Sequence, residues 1–444
     1  MSTPTLLVAA PASGSGKTVV TLGLLRAFAR QGLRTGSFKV GPDYIDPAFH
    51  ARVTGRPCPN LDSWTMRFST LAGLLEESGR EADLVIGEGV MGLFDGAPDG
   101  SGSTADLAAL FGLPVLLVVE AQKLGQSVAA IVEGFLRFRE DVEIVGLILN
   151  RVGSPAHAEI LREACDARFS LPLLGWIPRH ADLHLPERHL GLVQASEQRD
   201  LATTVERAAD TVARHLDLAR IRRLARAPSV SVLASTVRPL PAIGRRIAVA
   251  RDEAFAFAYP AVLEGWRRQG SDILFFSPLA DEAPDPRADA VYLPGGYPEL
   301  HAGRLAAASG FLDGLRRAAA RGAFLFGECG GYMVLGRELI DRSGHGHAMA
   351  GLLPVRTSFA RPRLHLGYRE MILAEGSPLG PIRSGFRGHE FHFAAELERG
   401  GAPLFAEVRD VRGRPLGPAG AREGRVAGSF LHLVDRTDHL RTVP

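Results

Sequence analysis

Ala323-Phe-Leu-Phe-Gly-Glu-Cys-Gly-Gly-Tyr-Met-Val-Leu335 reads as a strand, a sharp turn and a helix start. The apolar run from Ala323 to Phe326 fits a buried strand, and the apolar stretch after Gly331 can begin a helix. Between them stands Cys329. A nucleophile on such a turn is pushed out at the carboxyl edge of a sheet. The turn tolerates only small neighbours, and Gly327, Gly330 and Gly331 supply them. It also aims the backbone N–H of Gly330 at the place where an oxyanion would form. A buried structural cysteine is the competing reading, because that is the common state of a free Cys. The balance tips on His432, in Gly428-Ser-Phe-Leu-His-Leu433. A free thiol is mostly protonated at neutral pH, the thiolate is the nucleophile, and a histidine can take the proton.

Outward from the elbow, apolar runs at 246–250, 272–277 and 290–293 predict further strands of one α/β unit. The last runs into Pro294-Gly-Gly-Tyr-Pro-Glu299, where two glycines free backbone N–H groups to face a ligand. The Cys elbow with its late His resembles the class I glutamine amidotransferases. That resemblance implies that Cys329 and His432 release ammonia from L-glutamine through a thioester. It also implies that Gly296, or its neighbour Gly295, joins Gly330 in holding the oxyanion. Most such enzymes carry a Glu two residues after the His. Here that place is Val434, with Asp435 next to it, so a dyad or an orienting group from elsewhere is expected. His389 and His392, in Gly388-His-Glu-Phe-His392, read equally as substrate contacts, as interface residues or as packed histidines.

The N-terminal half opens with an apolar strand, 5–10, that runs into Pro11-Ala-Ser-Gly-Ser-Gly-Lys-Thr18 and a helix. Strand, glycine loop and helix are the context of a P-loop, in which Ser13, Gly14, Ser15 and Gly16 cradle phosphate with their N–H groups. Lys17 reaches the outer phosphates and the Thr18 hydroxyl ligates Mg²⁺. Pro11 stands where the motif has its first glycine, so the match is partial. A second strand delivers Lys39-Val-Gly-Pro-Asp-Tyr-Ile-Asp-Pro47, placing Lys39, Asp43 and Asp46 at a strand's carboxyl end, where open α/β sheets bind ligands. A third ends in Glu88-Gly-Val-Met-Gly-Leu-Phe-Asp95. An apolar strand closed by an acid is the Walker B arrangement. Thr18, Asp43 and Glu88 are therefore expected to hold the metal. Lys39, Asp46 and Asp95 are placed with them at substrate and phosphoryl transfer. Further strands at 114–120, 143–150 and 173–178 alternate with helices and argue a mainly parallel, doubly wound sheet.

The bulk numbers suit a two-domain globular protein: 444 residues, 46% hydrophobic and 23% charged. A net charge of +2, with no basic patch, argues against a nucleic-acid partner. No apolar run approaches membrane-spanning length. Three scattered cysteines without metal-type spacing point to a reducing cytoplasm, and the short N-terminal apolar run reads as a first strand, not a signal peptide.

Taken together, Lys39 to Pro47, Glu88 to Gly96, Leu293 to Glu299, Gly327 to Met333, Gly388 to His392 and the C-terminal Leu-His-Leu resemble the cobyrinic and hydrogenobyrinic acid a,c-diamide synthases of cobalamin biosynthesis. The resemblance spans the whole chain and includes the missing triad Glu at Val434. It implies a P-loop, dethiobiotin-synthetase-like domain over 1–225, a linker at 226–245 and a class I glutaminase α/β domain over 246–440. The implied reaction is ATP- and glutamine-dependent amidation of a corrinoid-type macrocycle with Mg²⁺ as cofactor; whether the chain forms a homodimer is left open. Cobyric acid synthase is the neighbouring alternative. A P-loop ATPase switch is the alternative of a different class, but it leaves Cys329 and His432 unexplained, and Ala12 stands where such switches carry an extra lysine.

Overall fold

The computed structural model describes residues 3–179, 187–188, 191–192, 194, 197–198, 200–229 and 237–438. Residues 230–236 of the expected linker lie outside them. The chain divides into two compact units, Met1–Ser63 with Leu71–Ser235, and Trp64–Thr70 with Thr236–Pro444. The short piece Trp64–Thr70 was expected in the first domain; its contacts group it with the second.

The first unit carries a seven-stranded sheet in the order Asn60–Leu61, Thr35–Val40, Leu84–Glu88, Thr5–Ala9, Val115–Glu120, Ile144–Val152, Leu173–Pro178. Every pairing is parallel. Thr5–Ala9, Thr35–Val40 and Leu84–Glu88 are buried along their whole length, as strands covered on both faces must be. Helix Lys17–Arg30 lays Val20, Leu24, Leu25 and Phe28 against that sheet, at helical spacing. Gly87 carries no Cβ because the ring of Phe38 fills its place. Helix Thr104–Phe111 starts on a capping box: the Ser103 side chain accepts from Asp106 N–H while Asp106 accepts from Ser103 N–H. Such a cap contributes about 1 kcal/mol.

The second unit has a six-stranded sheet, Asp272–Phe276, Arg246–Ala250, Ala290–Leu293, Phe324–Glu328, Val426–Ser429, Ala421–Glu423. All pairings are parallel except the last. The strand order reverses between Arg246–Ala250 and Ala290–Leu293, a switch point beside which ligands bind in such sheets. A second, antiparallel sheet of five strands follows: Pro415–Ala419, Phe405–Arg409, His365–Leu373, Gly385–His392, Leu431–Arg436. The α/β class is as expected; this antiparallel layer, which bears His432, is an addition to it.

Candidate functional site

At the carboxyl edge of the first sheet the P-loop glycines adopt left-handed backbone, Gly14 with φ 77° and Gly16 with φ 88°. Gly16 then caps helix Lys17–Arg30. An L side chain would be strained at both places, and at Gly16 a Cβ would also strike the amide of Asn150. Asn150 braces the loop: its Nδ2 donates to Ser15 O at 2.8 Å. The Lys17 ammonium donates to Met91 O at 2.5 Å and Ala12 O at 3.3 Å. Burial, with Lys39 nearby, lowers its pKa to about 8.

Lys39 is the centre of this site. Its Nζ stands 2.6 Å from Asp46, 2.8 Å from Glu88 and 3.8 Å from Asp43, in nearly complete burial. Burial works against the ammonium, but the three carboxylates overcome it and hold Lys39 well above its usual range. One cation cannot neutralise three acids. Burial and the neighbouring Asp43 push Asp46 up to about 7, while Lys39 and His50 pull Glu88 far below the ordinary carboxylate range in spite of its burial. Thr18 Oγ1 donates to Glu88 Oε1 at 2.7 Å and lies 3.5 Å from Asp46. Asp43 Oδ1 accepts from Ile45 and Asp46 N–H and so holds the turn that leads into helix Asp46–Thr54. Asp95 Oδ2 accepts from Gly92 N–H at 2.8 Å, closing the loop that follows Glu88. Thr18 Oγ1 and Glu88 Oε1 are 2.7 Å apart and Asp43 is linked to them through Lys39, at 3.8 Å; all three offer oxygens of the hard kind that Mg²⁺ takes.

His50 was missed by the sequence reading. It is fully buried on helix Asp46–Thr54, and its Nε2 lies 2.7 Å from Glu88 Oε2. It fixes the carboxylate oxygen that Lys39 and Thr18 do not take. Its only signal was its place four residues after Asp46, on one helix face.

In the second unit Cys329 has φ 46° and ψ −102°, a strained conformation for a non-glycine residue, between strand Phe324–Glu328 and helix Gly330–Leu335. Its N–H donates to Ser429 O at 2.8 Å, pinning the turn to the neighbouring strand. The thiol is buried, and burial, then Glu299, raises it far above a free cysteine, against the pull of the Gly330 N–H. His432 is buried too, and burial, with His389 and His392 nearby, holds it well below 6.5. The resting pair is thus a thiol and a neutral imidazole.

Gly295 is where the two side chains meet. A Cβ there would lie 2.6 Å from His432 Cε1, 3.4 Å from His432 Nε2 and 3.4 Å from Cys329 Cβ. A Cβ on Gly330 would lie 3.2 Å from Gly296 N, so the two expected oxyanion amides are neighbours. Gly295 O is engaged by Phe257 N–H.

Val434 is buried and apolar, and Asp435 does not serve the ring. Asp435 accepts from Arg67 N at 2.9 Å and pairs with the Arg67 guanidinium at 2.9 Å. What lies against His432 is His389, its cross-strand partner, with ring centroids 4.9 Å apart and planes 14° from parallel. His389 Nε2 is 2.7 Å from the hydroxyl of Tyr259, and burial lowers this histidine to about 3. His392 bonds instead to Glu390 at 2.9 Å and to Ala394 O at 3.0 Å. Glu390 is clamped from its other oxygen by Arg369 at 2.7 Å.

Residues 6–193 match the CobQ/CobB/MinD/ParA nucleotide binding domain, and 246–439 match the CobB/CobQ-like glutamine amidotransferase domain. Among similar proteins is the hydrogenobyrinate a,c-diamide synthase of Brucella anthropi, 54% identical over 97% of this chain and 98% of that one. The proteins of that name from Rhizobium meliloti, at 52%, and Rhodobacter capsulatus, at 53%, align over 97% of this chain and over 99% and 98% of their own. With identity of this order along nearly the whole of both sequences, the chain belongs to the hydrogenobyrinate a,c-diamide synthase family.

Proposed function

We propose that the chain uses ATP and L-glutamine to amidate the a and c acetate carboxylates of hydrogenobyrinic acid, the metal-free macrocycle. The observation that carries this reading is the full-length likeness to relatives that bear that name, with a P-loop site in one unit and a cysteine elbow in the other. The cobalt-bearing substrate was left open by the sequence; the relatives' name favours its metal-free counterpart.

In the glutaminase half, Cys329 attacks the amide carbon of glutamine as His432 takes the thiol proton. The Gly330 and Gly296 amides receive the oxyanion. Ammonia leaves, and water cleaves the thioester to glutamate. The neutral state of His432 supports its role as the base, since an imidazolium could accept nothing.

In the other half, a substrate carboxylate attacks the outer phosphorus of ATP and ADP departs. The acyl phosphate then yields to ammonia, with phosphate as leaving group. Lys17 and the P-loop amides bind the phosphates, and Asp46 and Asp95 serve the substrate carboxylate or the attacking ammonia. Thr18, Asp43 and Glu88 would hold Mg²⁺, which when bound neutralises phosphate charge. Lys39 keeps the acidic cluster compact while those acids await their ligands. No helix among the described residues is long and apolar enough to cross a membrane, and the three free cysteines suit a reaction in the cytoplasm.

Mass spectrometry of the product tests this directly. The protein with ATP, Mg²⁺ and glutamine should shift hydrogenobyrinic acid by two successive acid-to-amide steps, faster than cobyrinic acid. Four shifts on the diamide would replace the reading with cobyric acid synthase. Hydrolysis of ATP with no shift on either macrocycle would sink it.

A further inference from the structure

Glu328, the residue before the nucleophile, is buried at 2% exposure and takes no part in the chemistry above. Its two oxygens reach in different directions. Oε2 accepts from the hydroxyl of Tyr292 at 2.6 Å, and Oε1 accepts from the backbone N–H of Leu433 at 2.8 Å. The second bond is the telling one. The N–H of Leu433 belongs to the peptide that leaves His432. The strand that carries His432 lies in the antiparallel sheet, whereas Glu328 and Cys329 lie at the end of a strand of the six-stranded sheet. This hydrogen bond therefore joins the base's own peptide to the nucleophile's strand across two sheets.

The ladder geometry shows why such a bond is needed. The pairing of Leu431–Arg436 with Gly385–His392 slips between Arg387 and Gly388, so that Gly388 faces Leu433 while Arg387 faces Asp435. Register at His432 is thus not fixed by an unbroken ladder. Tyr292 ties the same carboxylate to the strand that ends at Leu293, three residues before Gly296. Its ring stacks on Phe326 with centroids 5.9 Å apart and meets Trp266 edge-on at 5.3 Å, which fixes where the hydroxyl oxygen sits. One side chain is anchored on the oxyanion strand and the elbow strand, and it holds the histidine strand.

We infer that Glu328 is the positioning residue for His432, standing in for the orienting acid absent at Val434, and that it acts through the His432–Leu433 peptide and not through the ring. The inference rests on the glutaminase reading above. What matters in it is an acceptor oxygen at the right reach. Charge is secondary, because a buried carboxylate and a carboxamide can both accept from Leu433 N–H, and the Tyr292 hydroxyl can rotate to accept from an amide.

Two conservative variants separate reach from charge. Glu328→Gln keeps the length and an acceptor but loses the charge. Glu328→Asp keeps the charge but draws the oxygen back by one methylene. Glutamine-driven kcat should stay within a few-fold of wild type in the Gln variant and fall about a hundredfold in the Asp variant, the usual cost of an ångström-scale misplacement. KM for glutamine should be unchanged in both, since the substrate is not touched. Ammonia-driven amidation, which needs neither Cys329 nor His432, should be unchanged in both and reports an intact fold. Equal activity of the two variants, or a Gln variant weaker than the Asp one, would overturn the inference, as would a parallel loss of ammonia-driven turnover. A wild-type protein with ammonia-driven but no glutamine-driven turnover would instead overturn the glutaminase reading itself.

Discussion

At the P-loop edge of the first unit, Lys39 lies 2.6, 2.8 and 3.8 Å from Asp46, Glu88 and Asp43, and His50 adds a second partner for Glu88. At the elbow of the second unit, Cys329 and His432 are buried and uncharged at rest, and the polar partner of the next histidine is a tyrosine hydroxyl. Both sites occupy the carboxyl edge of a parallel sheet. One is an assembly of compensated charge and the other an assembly of neutral groups waiting for a proton transfer. The reactions explain the contrast. Phosphoryl transfer brings polyanionic charge to the protein, so cationic groups must be ready in place. Amide cleavage brings a neutral substrate, and charge need exist only during the attack.

Removal of the nucleophile breaks the comparison most sharply. Cys329→Ser should lose glutamine-driven amidation by more than about a thousandfold, while amidation driven by ammonium salt stays at the wild-type level. A serine variant that still uses glutamine would end the assignment of Cys329. Next in size is the charged site. Glu88→Gln should lower amidation by about a hundredfold with either nitrogen source, because it strips one acid from the cluster proposed to hold Mg²⁺ and leaves Lys39 and His50 short of a partner. Glutamine hydrolysis by the same variant should persist. Full amidation by Glu88→Gln would show that the acid is dispensable to phosphoryl transfer.

Much of both sites could be seen in the sequence, for one shared reason. Gly14, Gly16, Lys17 and Thr18, or Gly327, Cys329 and Gly330, are contiguous, and the backbone of one tight turn dictates their spacing. Lys39 lies at the end of one strand with Asp43 and Asp46 just after it, and Glu88 ends its neighbour in the sheet. What the sequence hid is whatever reaches across the fold. His50 shows only as a histidine on a short helix until Glu88 packs against it. Asn150 lies in strand Ile144–Val152, more than a hundred residues from Ser15, and nothing local says that its amide braces the loop. Asp435 looked near enough to His432 to serve it, yet Arg67, at the far end of the chain, takes it. The antiparallel layer of His365–Leu373, Gly385–His392 and Leu431–Arg436 arises from pairings up to dozens of residues apart, and a period-two pattern gives no hint of which strand lies beside which.

The smallest predicted effect tests the neutral site through its protons. His389 is lowered to about 3 by burial and Glu328 is raised to about 7, also by burial. Their linkage to folding has opposite signs. Between about pH 3 and its unfolded value near 6.5, His389 binds a proton only in the unfolded chain, so its contribution to stability falls as the pH drops through that window. Between its unfolded value near 4.5 and about 7, Glu328 keeps its proton only in the folded chain, so its contribution falls as the pH rises. From about pH 4.5 to 6.5 the two slopes offset each other. Each alone is limited to about 1.4 kcal/mol per pH unit. Glu328→Gln should therefore make the protein lose stability more steeply than wild type on acidification, and His389→Gln should tilt the curve the other way. Urea midpoints followed by tryptophan fluorescence at pH 5, 6 and 7 would measure both, and tilts of the same sign in the two variants would refute the picture of a site held neutral from both sides.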